Sequence, residues 1–469
     1  MFRQIRPVLI LSLVLIALTH AGLASAATHR SVRAPEGMVA SASPLATQVG
    51  VQILQQGGNA VDAAAAIAMT LAVTLPEAGN LGGGGFLLVR TADGRSSFLD
   101  FRERAPKRAH RDMYLDKNGE VIGGSSTTGA KSSGVPGTVA GISLALERFG
   151  TISFADACRP AERLAREGFR LSKFEADFLQ SEKIKLASYP ESDRIFLRNG
   201  NYYREGEFFR QPELAATFGR MIKNGPREFY EGETARLIAK AMGKDGLITL
   251  EDLKDYRPSE RAPLVGQYRG FTVLTAPPPS AGGIALLEML NMLEGDNLSA
   301  LDHNSAPYLH LLTEVMRRAF ADRATFLGDP DFYPVPVAQL VSKEYAKKLR
   351  ATIDLQKATP SATVRAGLGE ILEPQSTTHF SVVDKNGTMV SCTYTINDNY
   401  GSGVTVPGAG FLLNDEMDDF TSKPGARNMF GLTQGKGNSI APGKRPLSSM
   451  TPTIVVRGDR PWFAIGGPG

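Results

Sequence analysis

The sequence has 469 residues, with 52 Lys and Arg against 48 Asp and Glu, so its net charge is +4. Charges of both signs are mixed along the chain, which excludes the basic footprint of a nucleic-acid or membrane-surface binder. The length suffices for a sizeable hydrophobic core. The six His and two Cys show none of the spacings typical of metal sites, so we expect neither a metal nor a cofactor.

The N-terminus has the pattern of a secretory signal peptide. Arg3 and Arg6 precede an apolar run over Pro7–Leu18, and small residues follow up to Ala26. The run is too short for a transmembrane helix, which needs about 20 apolar residues. We therefore expect residues 1–26 to be removed, and the mature chain to be periplasmic or secreted without a membrane span.

Capping residues predict two helices early in the mature chain. Ser43 is a suitable N-cap for a helix that runs to about Gln56. Asn59, with Asp62 three residues later, can cap a second helix that continues through Val73. This second helix is apolar on nearly all sides, so we expect it to be buried.

A glycine run over Gly82–Gly85 follows. Such a run could form a phosphate-binding loop, but neither a Lys-Ser/Thr pair nor a helix comes after it. Instead, Phe86–Arg90 and Ser96–Phe101 are predicted to form a β-hairpin, so close backbone packing is the expected role of the glycines. The hairpin ends at Arg102, which by itself would usually be a solvated surface charge.

The middle of the chain is predicted to be mainly helical. Phe154–Glu167 has a helical pattern, and Pro160 is expected to kink this helix or to mark a new start. Tyr268–Leu274 is predicted to be a strand. Further helices are predicted over Ala281–Leu293 and Pro307–Phe326.

A second hairpin is predicted near the C-terminus, from period-2 runs over Thr377–Asp384 and Thr388–Asn397 that flank an Asn-Gly turn signal. A two-residue loop would pair Thr377 with Ile396. A three-residue loop, with the glycine in the left-handed conformation, would pair Thr377 with Thr395. The second register separates polar from apolar side chains, as a half-buried sheet requires, so we choose it.

In this register, one hairpin face is polar. That face carries Thr377, His379, Ser381, Ser391, Thr393 and Thr395. From the hairpin alone, a solvent-exposed, Thr-rich face would be the preferred interpretation, because Thr suits strands on propensity. Cys392 lies on the apolar face; it could pair with Cys158 in an oxidising compartment, or both could be buried free thiols.

The residues after the hairpin connect the chain to a known family. The motifs TTHFSVVD, YTIN, FLLNDEMDDF and GKRPLSSM, with FRERAP after GNLGGGGFLL, closely resemble the γ-glutamyltransferases (γ-glutamyltranspeptidases), which are N-terminal nucleophile hydrolases. The resemblance covers almost everything after residue 30. It implies an α+β fold, the four-layer αββα sandwich, with a large-subunit segment over 27–376 and a small-subunit segment over 377–469. Because the family's sequences continue well past this point, we expect the C-terminal part of the sandwich to be missing here.

The resemblance also implies the catalytic groups. Cleavage between Ser376 and Thr377 would free an α-amine with a pKa of about 8, which can act as the base for the Thr377 hydroxyl. Thr395 would hydrogen-bond this nucleophile. Gly469 would supply the first of two backbone N–H groups that stabilise the oxyanion.

A γ-glutamyl substrate is a zwitterion at its α-carbon, and the resemblance implies partners for both charges. The set for the α-carboxylate consists of Arg102, Ser448 and Ser449. The set for the α-ammonium consists of Asn397, Glu416 and Asp419. The planar Arg fork suits a carboxylate better than Lys does. A lid is implied over Thr421–Lys444, with Phe430 at a position where the family often has Tyr.

The sequence therefore predicts an exported γ-glutamyltransferase and glutathione hydrolase that cleaves itself before Thr377 and forms an ester on that residue. Its partners would be glutathione and other γ-glutamyl compounds, amino-acid or dipeptide acceptors, and its own two subunits in a heterodimer. One alternative is a related β-lactam side-chain acylase or a poly-γ-glutamate processing enzyme. Another is an unprocessed, inactive periplasmic amino-acid-binding protein.

Overall fold

The computed structural model describes residues 32–364 and 377–467. The predicted signal peptide, Ser376 and Gly469 lie outside the described residues. The account below concerns the unit that begins at Gly37. Across the described ranges, no helix is both long and apolar enough to cross a membrane.

The two helices predicted from the capping residues Ser43 and Asn59 begin directly after them. In chain order the helices are α1 (Pro44–Gln55), α2 (Ala60–Thr74), α3 (Thr138–Phe149), α4 (Phe154–Glu167), α5 (Lys173–Ser181), α6 (Lys183–Ala187), α7 (Pro190–Ser192), α8 (Pro212–Asn224), α9 (Glu228–Glu231), α10 (Glu233–Ala241), α11 (Leu250–Asp255), α12 (Gly282–Leu293), α13 (Ala306–Phe326), α14 (Val337–Leu340) and α15 (Lys343–Arg350). Ser43 caps α1, and Asn59 with Asp62 forms a capping box at α2. Helix α2 is buried along its whole length, as its apolar composition predicts.

Helix α4 continues through Pro160, so the predicted possibility of a new start there is wrong. Pro160 removes one backbone donor, but the helix is packed against both α2 and α8. Its buried face consists of Ala157, Cys158, Ala161 and Ala165. This packing holds the helix together across the proline.

The strands form two main antiparallel sheets and a small ribbon. They are β1 (Gly37–Ala40), β2 (Gly84–Arg90), β3 (Ser96–Asp100), β4 (Phe169–Arg170), β5 (Phe208–Phe209), β6 (Ser259–Arg261), β7 (Leu264–Tyr268), β8 (Phe271–Thr275), β9 (Thr377–Asp384), β10 (Met389–Thr395), β11 (Thr453–Arg457) and β12 (Arg460–Ile465). The six-stranded sheet has the order β1-β9-β10-β2-β3-β6, and the four-stranded sheet has the order β12-β11-β8-β7. Strands β4 and β5 form the ribbon.

The strand predicted over Tyr268–Leu274 is wrong in its boundaries. Strand β7 ends at Tyr268, and β8 begins at Phe271. Arg269 and Gly270 between them have φ angles of 49° and 84°, which is the two-residue turn that suits the twist of a hairpin. The prediction missed this turn because Arg rarely adopts a positive φ.

The predicted register of the second hairpin is confirmed. Strands β9 and β10 pair Thr377 with Thr395 and Val382 with Val390. Gly387 has a φ of 87°, and its N–H donates to the Asp384 carbonyl at 3.0 Å. The three-residue loop with a left-handed glycine is therefore the one that forms.

The two sheets pack face to face between helical layers, which is the predicted αββα sandwich. Apolar side chains fill the space between the sheets: Phe86, Leu88, Phe98, Leu274, Ile454 and Val456. The apolar face of the β9–β10 hairpin packs instead against α2, where the Tyr394 hydroxyl donates to the Ala68 carbonyl at 2.9 Å. On the far side, Leu287 of α12 packs against the four-stranded sheet.

The polar hairpin face lies between the sheets, so its interpretation as a solvent-exposed face is wrong. The Ser391 hydroxyl donates to the Ile465 carbonyl and accepts from the Thr453 N–H, each at 3.1 Å. The four-stranded sheet thus covers this face. The β10 side chains of this face, Ser391, Thr393 and Thr395, are buried, and those of β9 are partly exposed.

The glycine run brings backbones into close contact, as predicted. A Cβ atom on Gly83 would lie 2.0 Å from the Thr395 carbonyl oxygen, and one on Gly85 would lie 2.5 Å from the Thr393 carbonyl oxygen. Real Cβ atoms do not approach so closely, so β10 can lie here because these positions lack side chains. The glycines thereby set the position of Thr395.

Cys158 and Cys392 are both buried and free, so the disulfide alternative is wrong. They lie on α4 and β10, within the same apolar core cluster. Each thiol behaves there as a small apolar side chain.

Candidate active site

A cavity of about 420 Å³ opens at the end of the β9–β10 hairpin. It is lined by the described residues of the predicted site, which are Arg102, Thr377, Thr395, Asn397, Glu416, Asp419, Ser448 and Ser449. Residues from four separate stretches of sequence thus meet in one place. Of the predicted site residues, Ser376 and Gly469 lie outside the described part of the chain.

Two threonine hydroxyls face each other at the floor of the cavity. Thr377 is the first residue of β9, and its Oγ1 donates to Thr395 Oγ1 at 3.3 Å. Thr395 is buried, and its Oγ1 also accepts from the Asn397 N–H at 2.9 Å. The second hydroxyl is therefore held in place beside the first.

His379 lies two residues along the same strand face. Its Nδ1 is 2.8 Å from Thr393 Oγ1, and its Nε2 is 2.9 Å from Ser381 Oγ. Burial lowers the pKa of the imidazole to about 4, so the ring is neutral at neutral pH. A Cβ atom on Gly466 would lie 2.4 Å from the ring, so His379 also supports the backbone that forms one cavity wall.

Arg102 forms the charged part of the cavity wall. Its guanidinium donates to the carboxylates of Glu416 and Asp419, and its Nε donates to the Pro446 carbonyl at 3.3 Å. The Arg102 side chain is 1% exposed. Burial opposes its charge, but the neighbouring carboxylates outweigh burial and raise the pKa of Arg102 above its ordinary value.

The two carboxylates were predicted to bind the opposite end of a substrate from Arg102, yet the structure places all three groups in contact. Glu416 and Asp419 lie on one short 3₁₀ turn, Glu416–Asp419. Burial raises the pKa of Glu416 to about 7, although its pairing with Arg102 opposes this shift. In this structure each of the two carboxylates is paired with the same guanidinium.

Glu103 is a member of this cluster that the sequence analysis missed. Its fully buried carboxyl lies 3.7 Å from Arg102 Nη1. Burial, together with the nearby Glu416, raises the pKa of Glu103 well above its ordinary value. Its position directly after Arg102 in the FRERAP motif was the available signal.

Ser448 and Ser449 line the same cavity as the threonines. The Ser448 N–H donates to the Pro279 carbonyl at 2.9 Å, which fixes this segment beside the turn before α12. Arg323 Nη2 donates to Ser449 Oγ at 3.2 Å. Arg102 contacts the same segment, since its Nη2 donates to the Leu447 carbonyl at 3.4 Å.

The segment predicted to be a lid contributes Phe430 to the cavity wall and contacts Asn397 through Met429. Phe430 lines the cavity, and the Met429 Sδ lies 3.7 Å from Asn397 Nδ2. Asp418, another residue without a predicted role, accepts from the Met429 N–H at 2.8 Å and from the Ser126 hydroxyl at 2.6 Å. Asp418 thus joins the lid to the body of the protein.

The charged groups of the cavity are suited to an organic ion. Within the described residues, no group of three or more His, Cys, Asp or Glu is arranged to hold a metal ion. The carboxylates present are already paired with a guanidinium. With the Thr377–Thr395 hydroxyl pair at the end of a hairpin and an αββα sandwich around it, these features define an N-terminal nucleophile hydrolase.

Comparisons with known proteins place the chain within that class. The gamma-glutamyltranspeptidase family profile matches residues 46–469. The glutathione hydrolase proenzyme of Escherichia coli (strain K12) is 47% identical over 440 residues, which are 93% of this chain and 76% of that protein. The chain therefore belongs to the γ-glutamyltranspeptidase family of enzymes.

Solved structures agree with this assignment. The crystal structure of Helicobacter pylori gamma-glutamyltranspeptidase matches with a TM-score of 0.70 and 41% identity, covering 73% of this chain and 99% of that chain. The crystal structure of cephalosporin acylase from Bacillus halodurans matches with a TM-score of 0.79 and 28% identity, covering 94% and 79%. The fold is shared by both activities, so the site must distinguish them.

Proposed function

We propose that the chain is an exported proenzyme that cleaves itself before Thr377 and then transfers γ-glutamyl groups from glutathione and related compounds. The observation that carries this proposal is the meeting of the Thr377–Thr395 hydroxyl pair with the Arg102–Glu416–Asp419 cluster in one cavity. The first pair supplies a nucleophile, and the second recognises an amino-acid zwitterion. Glutathione suits both groups, because it carries a γ-carbonyl for the nucleophile and an amino-acid zwitterion for the charged cluster.

In the proposed reaction, the α-amine freed at Thr377 takes the proton from the Thr377 hydroxyl, whose oxygen attacks the γ-carbonyl carbon. The proton passes to the leaving amine, and a γ-glutamyl ester remains on Thr377. Water, an amino acid or a dipeptide then attacks the ester. Gly469 is proposed as one donor to the oxyanion in both steps.

Recognition of the donor would exchange one set of ion pairs for another. Arg102 leaves the two carboxylates and, with Ser448 and Ser449, binds the α-carboxylate. Glu416 and Asp419 then bind the α-ammonium together with Asn397. A ligand with one charge alone would leave the other half of this buried cluster unpaired, which is costly.

The proposal extends to the mature assembly and its location. Residues 27–376 and 377–469 would be the large and small subunit segments of a heterodimer. The pattern of residues 1–26 supports export to the periplasm or the medium. The substrates would be small molecules, and the chemistry requires no cofactor.

The test is a substitution of the proposed nucleophile. Thr377→Ala should give a single uncut chain in mass spectrometry and no release of p-nitroaniline from γ-glutamyl-p-nitroanilide. Thr377→Ser should retain part of both activities, since it keeps a hydroxyl. Glycylglycine should accelerate release by the wild-type enzyme if the ester is passed to an acceptor. A Thr377→Ala protein that still appears as two fragments would refute the assignment.

The main rival is a side-chain acylase. The buried Glu416 and Asp419 carboxylates disfavour it. If Arg102 left them to bind the carboxylate of an acyl group without an α-ammonium, they would have no partner. The lid contacts at Met429 and Phe430 disfavour a poly-γ-glutamate enzyme, which needs an open groove. Comparing glutaryl- with γ-glutamyl-p-nitroanilide tests the first rival directly. A wild-type chain that stays uncut would support the inactive binding protein.

A further inference from the structure

Asn397 lines the cavity from an unusual backbone conformation. It follows β10 at the start of a loop, the 397–403 turn, and its φ angle is 77°. Tyr400 in the same turn has a φ of 58°. Residues other than glycine adopt such angles at an energetic cost, and they persist where surrounding contacts enforce them. Some part of the protein must therefore hold this turn.

Lys185 of helix α6 supplies that contact. Its Nζ pairs with the Asp398 carboxylate, and it donates to the Asn399 carbonyl at 2.9 Å and to the Gly401 carbonyl at 3.3 Å. An ammonium group has three donors, so each has a partner within the 397–403 turn. The Lys185 and Asp398 side chains are 13% and 21% exposed. The pair is thus better shielded from water than a surface ion pair.

The turn is connected directly to the substrate-binding groups. The Asp398 N–H donates to Asp415 Oδ1 at 3.0 Å, and Asn397 Nδ2 donates to the Asp415 carbonyl at 3.2 Å. Asp415 immediately precedes Glu416 in the cavity. The residues held by Lys185 therefore lie next to both Asn397 and Glu416.

A second residue of this helical region, Ser192 of α7, contacts the loop at a different place from Lys185. The Ser192 hydroxyl donates to the Gly403 carbonyl at 2.6 Å and lies 2.7 Å from Thr405 Oγ1. These bonds dock the far end of the loop. Lys185 acts on the near end, where Asn397 leaves the strand.

We propose that Lys185 is a positioning residue for the γ-glutamyl donor, acting through Asp398 to hold Asn397 in the orientation that receives the α-ammonium. This inference rests on the proposed function. It assigns a part in donor binding to a helix outside the motifs that define the family resemblance. Lys185 does not touch the reacting atoms, so it should affect donor affinity and leave the chemical step intact.

The experiment compares Lys185→Met with Lys183→Met, an exposed lysine on the same helix. With γ-glutamyl-p-nitroanilide, Lys185→Met should raise KM about tenfold, which corresponds to about 1.4 kcal/mol of donor binding. The value of kcat should change less than about twofold on this reasoning. The Ki of L-glutamate as a competitive inhibitor should rise by the same factor. Lys183→Met should match the wild type in all three.

Two further variants separate positioning from general stability. Asp398→Asn should raise KM as Lys185→Met does, and the double variant should be no worse than either single one, because both remove the same interaction. Lys185→Arg should recover most of the affinity. An unchanged KM in Lys185→Met would overturn the inference. The inference would also be overturned if KM rose and kcat fell by the same factor in a variant whose urea midpoint is lowered, since that pattern indicates a general loss of stability. A wild-type enzyme without γ-glutamyl activity would overturn the proposed function itself.

Discussion

The neutral state of His379 is set by its enclosure between the sheets. Both ring nitrogens contact hydroxyls, on Thr393 and Ser381, and the ring packs against Gly466. None of these neighbours carries a charge that could stabilise an imidazolium. The site therefore needs the uncharged ring to keep its wall in place.

This predicts a loss of stability in acid. The ordinary pKa of 6.5 applies in the unfolded chain and about 4 in the folded protein, so the unfolded state binds more protons between these values. Stability from this group is complete above pH 6.5 and is lost as pH falls towards 4, by up to about 3 kcal/mol. His379→Gln, which cannot titrate, should have a flatter dependence of its urea midpoint on pH.

The exposed His303 offers a matched control. His303→Gln should leave the pH dependence of the urea midpoint as it is in the wild type. If His379→Gln loses stability with the same slope as the wild type between pH 6.5 and 4, the ring is not a buried neutral base.

At the scale of elements, the glycine run determines where β10 can lie. Gly83 has no room for a side chain against the Thr395 carbonyl, and Thr395 in turn contacts Thr377. A methyl group at position 83 must displace the end of β10. A change in one strand is thereby transmitted to the hydroxyl pair.

We predict that Gly83→Ala lowers the free energy of unfolding by about 1–3 kcal/mol, the usual cost of overpacking. It should also slow the appearance of the two fragments, since the Thr377–Thr395 distance changes. Gly219→Ala is the control, because this exposed glycine of α8 has open space around its Cβ position. That change should stabilise the helix by about 0.5–1 kcal/mol. Denaturant titration measures both, and equal effects would contradict the close-packing argument.

The hairpin register and the Arg102 cluster show how far sequence reasoning extends. Pairing of Thr377 with Thr395 could be predicted because turn type and side-chain alternation are local properties. The contact of Arg102 with Asp419 could not, because it joins residues 317 positions apart and depends on how two loops pack. The resemblance indicated that both residues bind substrate, but it gave no account of what pairs them with each other.

Lys185 illustrates the same limit at a greater distance from the motifs. Its helix has five residues and no pattern that refers to the 397–403 turn. The strand prediction across Arg269 was wrong for the opposite reason. There the sequence has a clear strand pattern, but the positive φ of one residue forms a turn. In both cases tertiary packing decided what local preference could not.

At the scale of the whole molecule, the two cysteines report on the integrity of the core. Cys158 and Cys392 are buried in one cluster that includes α2, α4 and the β9–β10 hairpin. Burial raises the pKa of both thiols, which further suppresses reaction.

We predict that neither thiol reacts with a maleimide in the native protein, and that both react after unfolding in guanidinium. The melting temperature should be the same with and without a reducing agent, because no disulfide is present to lose. Intact-mass measurement gives the number of labels. One label acquired under native conditions would show that the core opens locally.

The order of the six-stranded sheet determines whether two pieces of a cut chain could separate and refold. Strands β9 and β10 lie between β1 and β2, so a segment that follows position 376 is bonded on both sides to segments that precede it. If the bond before Thr377 is broken, the two pieces remain interwoven, and neither can depart until the sheet itself is taken apart. An unbroken chain is then needed only while the protein folds, and not afterwards. A molecule that had been cut and then unfolded would have to insert a free hairpin between two strands, so such a cleavage would be irreversible in practice.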